Sequence, residues 1–377
     1  MQTDSLHSAS VGVAPVSPFL AKARHVWRRI EWPTLGVALA IYVGFSLVTF
    51  FFNDLPLALS APLLSVLLTW YGSLQHETIH GHPTPFRRFN GMLGSLPLSL
   101  WIPYTVYRET HLRHHRHGGR RLTQVAYDPE SYYLPTGELS RAGRLRRLIY
   151  RANCTLAGRL VLGPALAVTS FWSGEFRRVR SGDRRRMRIW ARHAVGVYVV
   201  LFWVVAVCHI PWWVYLALVV YPSVSLNHVR SFAEHVAHED SRLRTRVVEA
   251  HPFWALLFLN NNLHIAHHAK PKLAWFQLPH LWRQMRAPAL ERGLVFAGGY
   301  REVTRKYFVR PYIRLDHGQL DHSGLDRGGL LDLSGLDHGG RLDHSGLNRG
   351  GLDHGGLDRS GLDCSGLDCS ALDRDGA

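Results

Sequence analysis

The sequence predicts an all-α integral membrane protein, with four transmembrane helices and a cytoplasmic helical cap holding clustered histidines. Three observations carry that prediction. The chain is 46% hydrophobic, an ordinary share, but it is unevenly spread: apolar runs alternate with arginine-dense segments, and the net charge is +16. Two pairs of apolar runs approach the roughly 20 residues that a bilayer requires. Three histidine boxes with one spacing rule lie beyond the ends of those runs.

Residues 1–30 are polar to basic, with Lys22, Arg24, Arg28 and Arg29 just before the first apolar run. They lack a cleavable-signal pattern and read as a cytoplasmic arm. The first span is expected at about 33–52 and the second at about 57–74, separated by Asn53 and Asp54. Pro56 and Pro62 fall before and near the start of the second span, where a missing amide costs least. An apolar stretch at 92–106 contains Pro97 and Pro103 and is too short and broken to cross, so it reads as re-entrant or interfacial. The stretch 160–172, flanked by arginines, reads as an interfacial helix. Two further spans follow at about 193–210 and 212–226, turning at Pro211, with Trp203, Trp212 and Trp213 at interfacial positions.

Charge sets the orientation. The outer loops hold only Asn53-Asp54 and the Pro211 turn. The inner segments carry Arg144, Arg146, Arg147, Arg177, Arg178, Arg180, Arg184, Arg185, Arg186 and Arg188. The positive-inside rule then places every histidine box in the cytoplasm. The domain plan is an arm at 1–30, a membrane domain at 31–310 and a repeat tail at 311–377. In the tail, Gly-Leu-Asp-X-Ser/Gly recurs at period five, as in Gly351-Leu352-Asp353-His354-Gly355. A pentapeptide solenoid would place its small or acidic residue before the leucine, whereas here Asp follows it. X is His, Arg or Cys, whose codons differ by single transitions, which points to an expanded gene repeat and a disordered tail.

The chemistry lies in His76-Glu77-Thr78-Ile79-His80, His111-Leu112-Arg113-His114-His115 and His264-Ile265-Ala266-His267-His268, with a lone His235 before the third. Residues three and four apart share a helix face, so each box is expected to point its imidazoles at one place. Nine imidazoles exceed what a four-coordinate zinc takes. They suit two metal ions, and imidazole accepts iron, copper, nickel or zinc.

These boxes resemble those of the membrane fatty acid desaturase superfamily, which includes related alkane hydroxylases and carotenoid ketolases. The interval from His80 to His111, the histidine after the fourth span, and the phrases His267-His268-Ala269-Lys270-Pro271 and Trp275-Phe276-Gln277-Leu278-Pro279 are similar to that group's pattern. The resemblance covers about 33–290. It implies a di-iron centre (two Fe ions) that activates O2 and removes hydrogen from a fatty acyl or lipid-like chain. It also implies that His76, His80, His111, His114, His115, His235, His264, His267 and His268 are the ligands and the catalytic set. Where some members carry a water-linked asparagine, this chain has Ser231, which leaves Asn227 and Asn261 as alternatives.

Glu77, Glu109, Asp128, Glu130 and Glu234 are candidates to accept the outer imidazole N–H groups, with Glu234 first. His82 reads as a solvated loop residue, with a role as ligand or outer contact the alternative, His117 as a membrane-surface residue, and His228, His238 and His251 as solvated or capping residues. Arg113 and Arg116 read as contacts to lipid phosphates. No fused electron carrier is evident, since the chain has neither a His-Pro-Gly-Gly motif nor a rubredoxin-type cysteine pair. A separate donor (ferredoxin, rubredoxin or reductase) is implied, and the basic stretch 141–192 suits an acidic partner. Cys154, Cys208, Cys364 and Cys369 have no disulfide or metal spacing. The arginines flank apolar spans without a nucleic-acid-binding signature, so the basic charge points to a membrane and not to nucleic acid. Two alternatives remain: a hydroxylase or ketolase of an alkyl or carotenoid substrate, and a non-redox metal-binding membrane protein such as a transporter or zinc hydrolase.

Overall fold

The computed structural model describes residues 29–116, 121–124, 127–131, 141–238 and 240–312. The chain divides into two units, Met1–Leu331 and Asp332–Ala377, and all described residues belong to the first. The expectations for the basic arm up to Arg28, for His117 and for the repeat tail from residue 313 onward lie outside the described residues.

Helices α1 (Trp32–Phe50) and α2 (Leu57–His80) form an antiparallel apolar pair. Pro33 sits in the first turn of α1, where its missing amide breaks no bond. Helix α2 ends at Gly81, whose φ of 101° is the left-handed cap conformation that glycine adopts without strain. Short helices α3 (Arg87–Ser95) and α4 (Tyr104–His114) follow, then α5 (Arg144–Asn153), α6 (Leu156–Arg180) and α7 (Arg184–Leu201). Helix α7 continues as a π-helical stretch to Val207. After Pro211, α8 (Trp212–Val214) runs through a second π-helical stretch (Tyr215–Val220) into α9 (Tyr221–Glu234). Pro222 has no amide to close an α-turn onto Leu218, and Ser65 Oγ donates to the Leu218 carbonyl at 3.1 Å. Thr69 and Ser73 extend the same stripe of α2, donating to Ser223 O (3.3 Å) and Leu257 O (2.7 Å). Small hydroxyl residues four apart let these helices approach closely and bond across the contact.

Four helices are long and apolar enough to cross a membrane: Trp32–Phe50, Leu57–His80, Leu156–Arg180 and Arg184–Val207. The count agrees with the sequence, but α6 was expected at the interface and the run from Trp212 was expected to cross. Packing resolves the difference. Leu156, at the start of α6, is buried with Val229, Phe232 and Phe258, and Ala157 N donates to Phe308 O at 2.9 Å. Near its other end, Glu175 pairs with Arg186 (3.4 Å), which also pairs with Glu109 (3.0 Å), two residues before His111. Both ends of α6 therefore lie at the histidine end of the bundle. It starts and ends at the same end of the bundle although it is long and apolar enough to span, and the helical run from Trp212 to Glu234 leads from the opposite end back to the histidines. At the opposite end, Asn53 Nδ2 donates to Cys208 O (3.0 Å) and ties the two short outer turns together.

The stretch between α3 and α4, residues 96–103, is non-helical. Its carbonyls, and those at the end of α3, are met by side chains from the surrounding helices. Tyr42 bonds Leu93 O, Gln75 bonds Gly94 O, Tyr71 bonds Leu96 O and Tyr215 bonds Leu98 O. His193 and Trp172 do the same for Leu100 O and Trp101 O, both at 2.8 Å. Irregular backbone at membrane depth is tolerated only when its polar groups are satisfied in this way.

The cap is built from a two-residue parallel pair, β1 (Val247–Val248) with β2 (Val295–Phe296), and helices α10 (Pro252–Leu257), α11 (His264–Ala269), α12 (Leu278–Glu291) and α13 (Gly299–Tyr307). Helix α12 packs Leu278, Leu281, Trp282 and Met285 against Leu263 and Ala266, which seats the third histidine box. Cys154 and Cys208 are free and buried.

Candidate metal centre

Three elements deliver the boxes. The last turn of α2 carries His76 and His80. Helix α4 carries His111 and His114, with His115 at its cap, and α11 carries His264, His267 and His268. His235 follows the end of α9 in extended backbone. All nine histidines converge, and they form two groups: His76, His80, His111, His115 and His267 in one, and His114, His235, His264 and His268 in the other. Within each group the candidate ligand atoms lie within 4.8 Å of one another.

This partition corrects the expectation that each box points at one place. Only box one does. In box two, His111 and His115 (i, i+4) join the first group and His114 joins the second. In box three, His264 and His268 (i, i+4) join the second group and His267 joins the first. Residues at i+3 and i+4 fall on opposite sides of the direction set by residue i, so a helix seated between two ions can serve both.

In the first group, His111 Nε2 lies 3.0 Å from His80 Nε2 and 3.1 Å from His115 Nε2, which is 3.1 Å from His267 Nε2. In the second, His235 Nε2 lies 3.1 Å from His114 Nε2 and 2.9 Å from His264 Nε2, and His268 Nε2 is 3.1 Å from His264 Nε2. The outer ring nitrogens identify the protons. Glu130 Oε1 is 2.9 Å from His111 Nδ1, and Asp128 Oδ1 is 2.8 Å from His114 Nδ1. Asn261 Oδ1 is 3.0 Å from His264 Nδ1. Ionised carboxylates and amide oxygens only accept, so these Nδ1 atoms carry N–H and the facing Nε2 atoms carry lone pairs. Lone pairs gathered at about 3 Å repel one another unless a cation lies between them. Metal–nitrogen bonds of about 2.0–2.1 Å place right-angle neighbours about 2.9 Å apart and tetrahedral ones about 3.3 Å apart. The observed spacing suits ring nitrogens that share a metal ion.

Burial disfavours the charged form of several of these imidazoles. Burial, then His111 and His114, pull the pKa of His115 down to about 3. Burial and neighbouring imidazoles likewise hold His264, His267 and His268 well below the usual histidine range. His114 shifts the other way: burial opposes its protonation, but Glu130 and Asp128 outweigh burial. Burial pushes the Glu130 carboxyl up, and His111 and His114 overcome it, holding the group well below its ordinary value.

The carboxylates rank differently from the expectation. Asp128 and Glu130 make the close contacts, and Asp128 Oδ2 also accepts Thr123 N–H at 2.8 Å. Glu234 lies 3.5 Å from His264 Nδ1 and 3.4 Å from Arg230. Glu77 lies 3.5 Å from His76 Nδ1 and accepts the Trp275 N–H. Glu109 faces Arg185 and Arg186 instead. The distances favour Asp128 and Glu130 because they come from a loop that is free to turn back on α4, whereas Glu234 is held to its helix and shared with Arg230.

Asn261 spans both groups, with Nδ2 3.3 Å from His76 Nε2 and Oδ1 on His264. Asn227 bonds Ser223 O within its own helix. His82 is buried against Glu31 rather than solvated, and it belongs to neither group. His228 approaches Arg159 O at 3.4 Å, while His251 caps α10 as expected.

Comparison with curated proteins and with solved structures gives no significant match. The fatty acid desaturase family matches residues 53–299, a span that takes in all three boxes, His235 and three of the four membrane crossings. That match covers more than half of the chain, and the chain therefore belongs to the fatty acid desaturase family.

Proposed function

We propose that this protein is a membrane-bound di-iron oxidoreductase that uses O2 and external electrons to desaturate a fatty acyl or lipid-like chain. The observation that carries the reading is the division of nine histidines into two groups whose ring nitrogens lie within 4.8 Å of one another. His76, His80, His111, His115 and His267 would hold one iron, and His114, His235, His264 and His268 the other. An iron pair supplies the redox power to activate O2 and break an aliphatic C–H bond, which side-chain acid–base chemistry does not reach. The reaction balances: two hydrogens with their electrons leave adjacent carbons, a donor adds two electrons and solvent two protons, and O2 is reduced to two waters.

The chain's own groups orient and insulate. Glu130 and Asp128 hold the rings of His111 and His114, and Asn261 holds His264 beside His76. Burial of His76, His111, His114, His264 and His267, each 4% exposed or less, excludes water from the ligands. Arginines crowd the histidine end of the bundle, whereas the opposite turns hold only Asn53-Asp54 and Pro211. That asymmetry supports a cytoplasmic centre. It also gives a separate acidic donor, such as a ferredoxin, rubredoxin or reductase, a surface to dock on through Arg177, Arg178 and Arg184.

The test is to express the chain in host membranes, supply a ferredoxin or rubredoxin with its reductase, and analyse extracted lipids by mass spectrometry. The proposal expects chains two hydrogens lighter, appearing only with O2 and donor. Products one oxygen heavier would favour the hydroxylase reading, and unchanged lipids in iron-loaded protein would contradict both.

A further inference from the structure

Away from the histidine groups, a cavity of about 910 Å³ lies between the re-entrant stretch and the first half of α7. Its walls combine charged and apolar side chains. Arg185, Arg188 and Arg192 line one part, and Leu96, Pro97 and Ile189 line the other. Arg185 is neutralised by Glu109. Arg188 is exposed and donates only to the Arg184 carbonyl at 3.4 Å, and Arg192 is exposed as well. Among the described residues, neither guanidinium has a carboxylate partner.

Helix α7 enters the membrane at the histidine end, so its first turns lie at head-group level. The lining runs from Arg185 to Gly196, about 16 Å along a helix. The cavity thus passes from the interface into hydrocarbon depth. Gly196 is required there, because a Cβ at this position would lie 2.9 Å from the Pro97 ring, and the close approach forms the inner end.

Two cations without a carboxylate partner among the described residues, beside apolar side chains, match an anionic head group followed by an acyl chain. We propose that this cavity is a binding site for an anionic membrane amphiphile, with a phosphate or carboxylate head on Arg188 and Arg192 and the first part of its chain against Leu96, Pro97 and Ile189. Guanidinium forks recognise both oxyanions. The site is separate from the histidine centre and independent of the chemistry proposed for it.

The experiment is native mass spectrometry of the full chain in uncharged detergent. The protein is titrated with phosphatidylglycerol, oleate, phosphatidylcholine and inorganic phosphate. The site predicts that phosphatidylglycerol or oleate binds at least ten-fold more tightly than phosphatidylcholine, and the tighter of the two identifies the head group. Arg188→Gln with Arg192→Gln should weaken that binding about thirty-fold, each surface guanidinium contributing about five-fold. Ser95→Trp, which keeps both guanidiniums but fills the cavity from α3, should weaken it similarly. Equal binding of anionic and zwitterionic lipids, or binding unmoved by both variants, would overturn the proposal. Inorganic phosphate binding as well as the lipids, indifferent to Ser95→Trp, would show an anion site without a chain and would also overturn it.

Discussion

His114 and His115 are adjacent in the chain yet face different groups. His114 Nε2 lies 3.1 Å from His235 Nε2, and His115 Nε2 lies 3.1 Å from His267 Nε2. One turn of α4 therefore links the two groups. His114→Ala and His115→Ala should each lose one ion and keep the other, and the double variant should lose both. Metal analysis after gel filtration reads this directly. Loss of both ions in either single variant would contradict independent groups.

Asp128 fixes the His114 ring through a 2.8 Å contact. Asp128→Asn preserves shape but removes the charge that selects the Nδ1–H form. Metal affinity should fall about ten- to a hundred-fold, as for other partners of metal-bound histidines. Glu109→Gln, whose carboxylate serves arginines, should leave it unchanged. Competition with a chromogenic chelator separates the two outcomes.

Acid should destabilise the metal-free protein. In the unfolded chain His115, His264, His267 and His268 protonate near about 6.5. In the fold, burial and neighbouring imidazoles lower all four, His115 to about 3. Below about 6.5 the unfolded state then binds more protons, so stability falls with pH, by up to about 1.4 kcal/mol per unit for each excluded proton. The melting temperature of chelator-treated protein should drop between pH 7 and pH 5 and stay level above pH 7.5. A flat profile across both ranges would show that these imidazoles are protonated in the fold.

Tyr215 reaches the carbonyl of Leu98 at 2.6 Å, with both residues fully buried. Tyr215→Phe leaves that carbonyl without its donor and should cost about 1–3 kcal/mol. Unfolding in graded denaturing detergent measures it, and an unchanged midpoint would mean that the re-entrant stretch finds another donor.

The nine histidines were legible in the sequence because helical spacing is a local property, and boxes at one end of paired spans must meet. Their division was not, because it depends on how α4 and α11 seat between the two groups. The apolar stretch 160–172 was legible, but it was expected as a short interfacial helix and is part of a 25-residue helix long and apolar enough to span. Arg159 is buried inside the longer helix. Asp128 and Glu130 outrank Glu234 through the path of a loop, which no periodicity reports. The cavity joins α3 to α7, nearly a hundred residues apart in the chain, and so had no sequence signal.

Iron content of the detergent-purified chain, beside a variant with His111, His114 and His115 changed to alanine, tests the central claim most directly. The account predicts two irons per chain in the native protein and none retained in the variant. One zinc per chain, or metal content that survives the three substitutions, would contradict it.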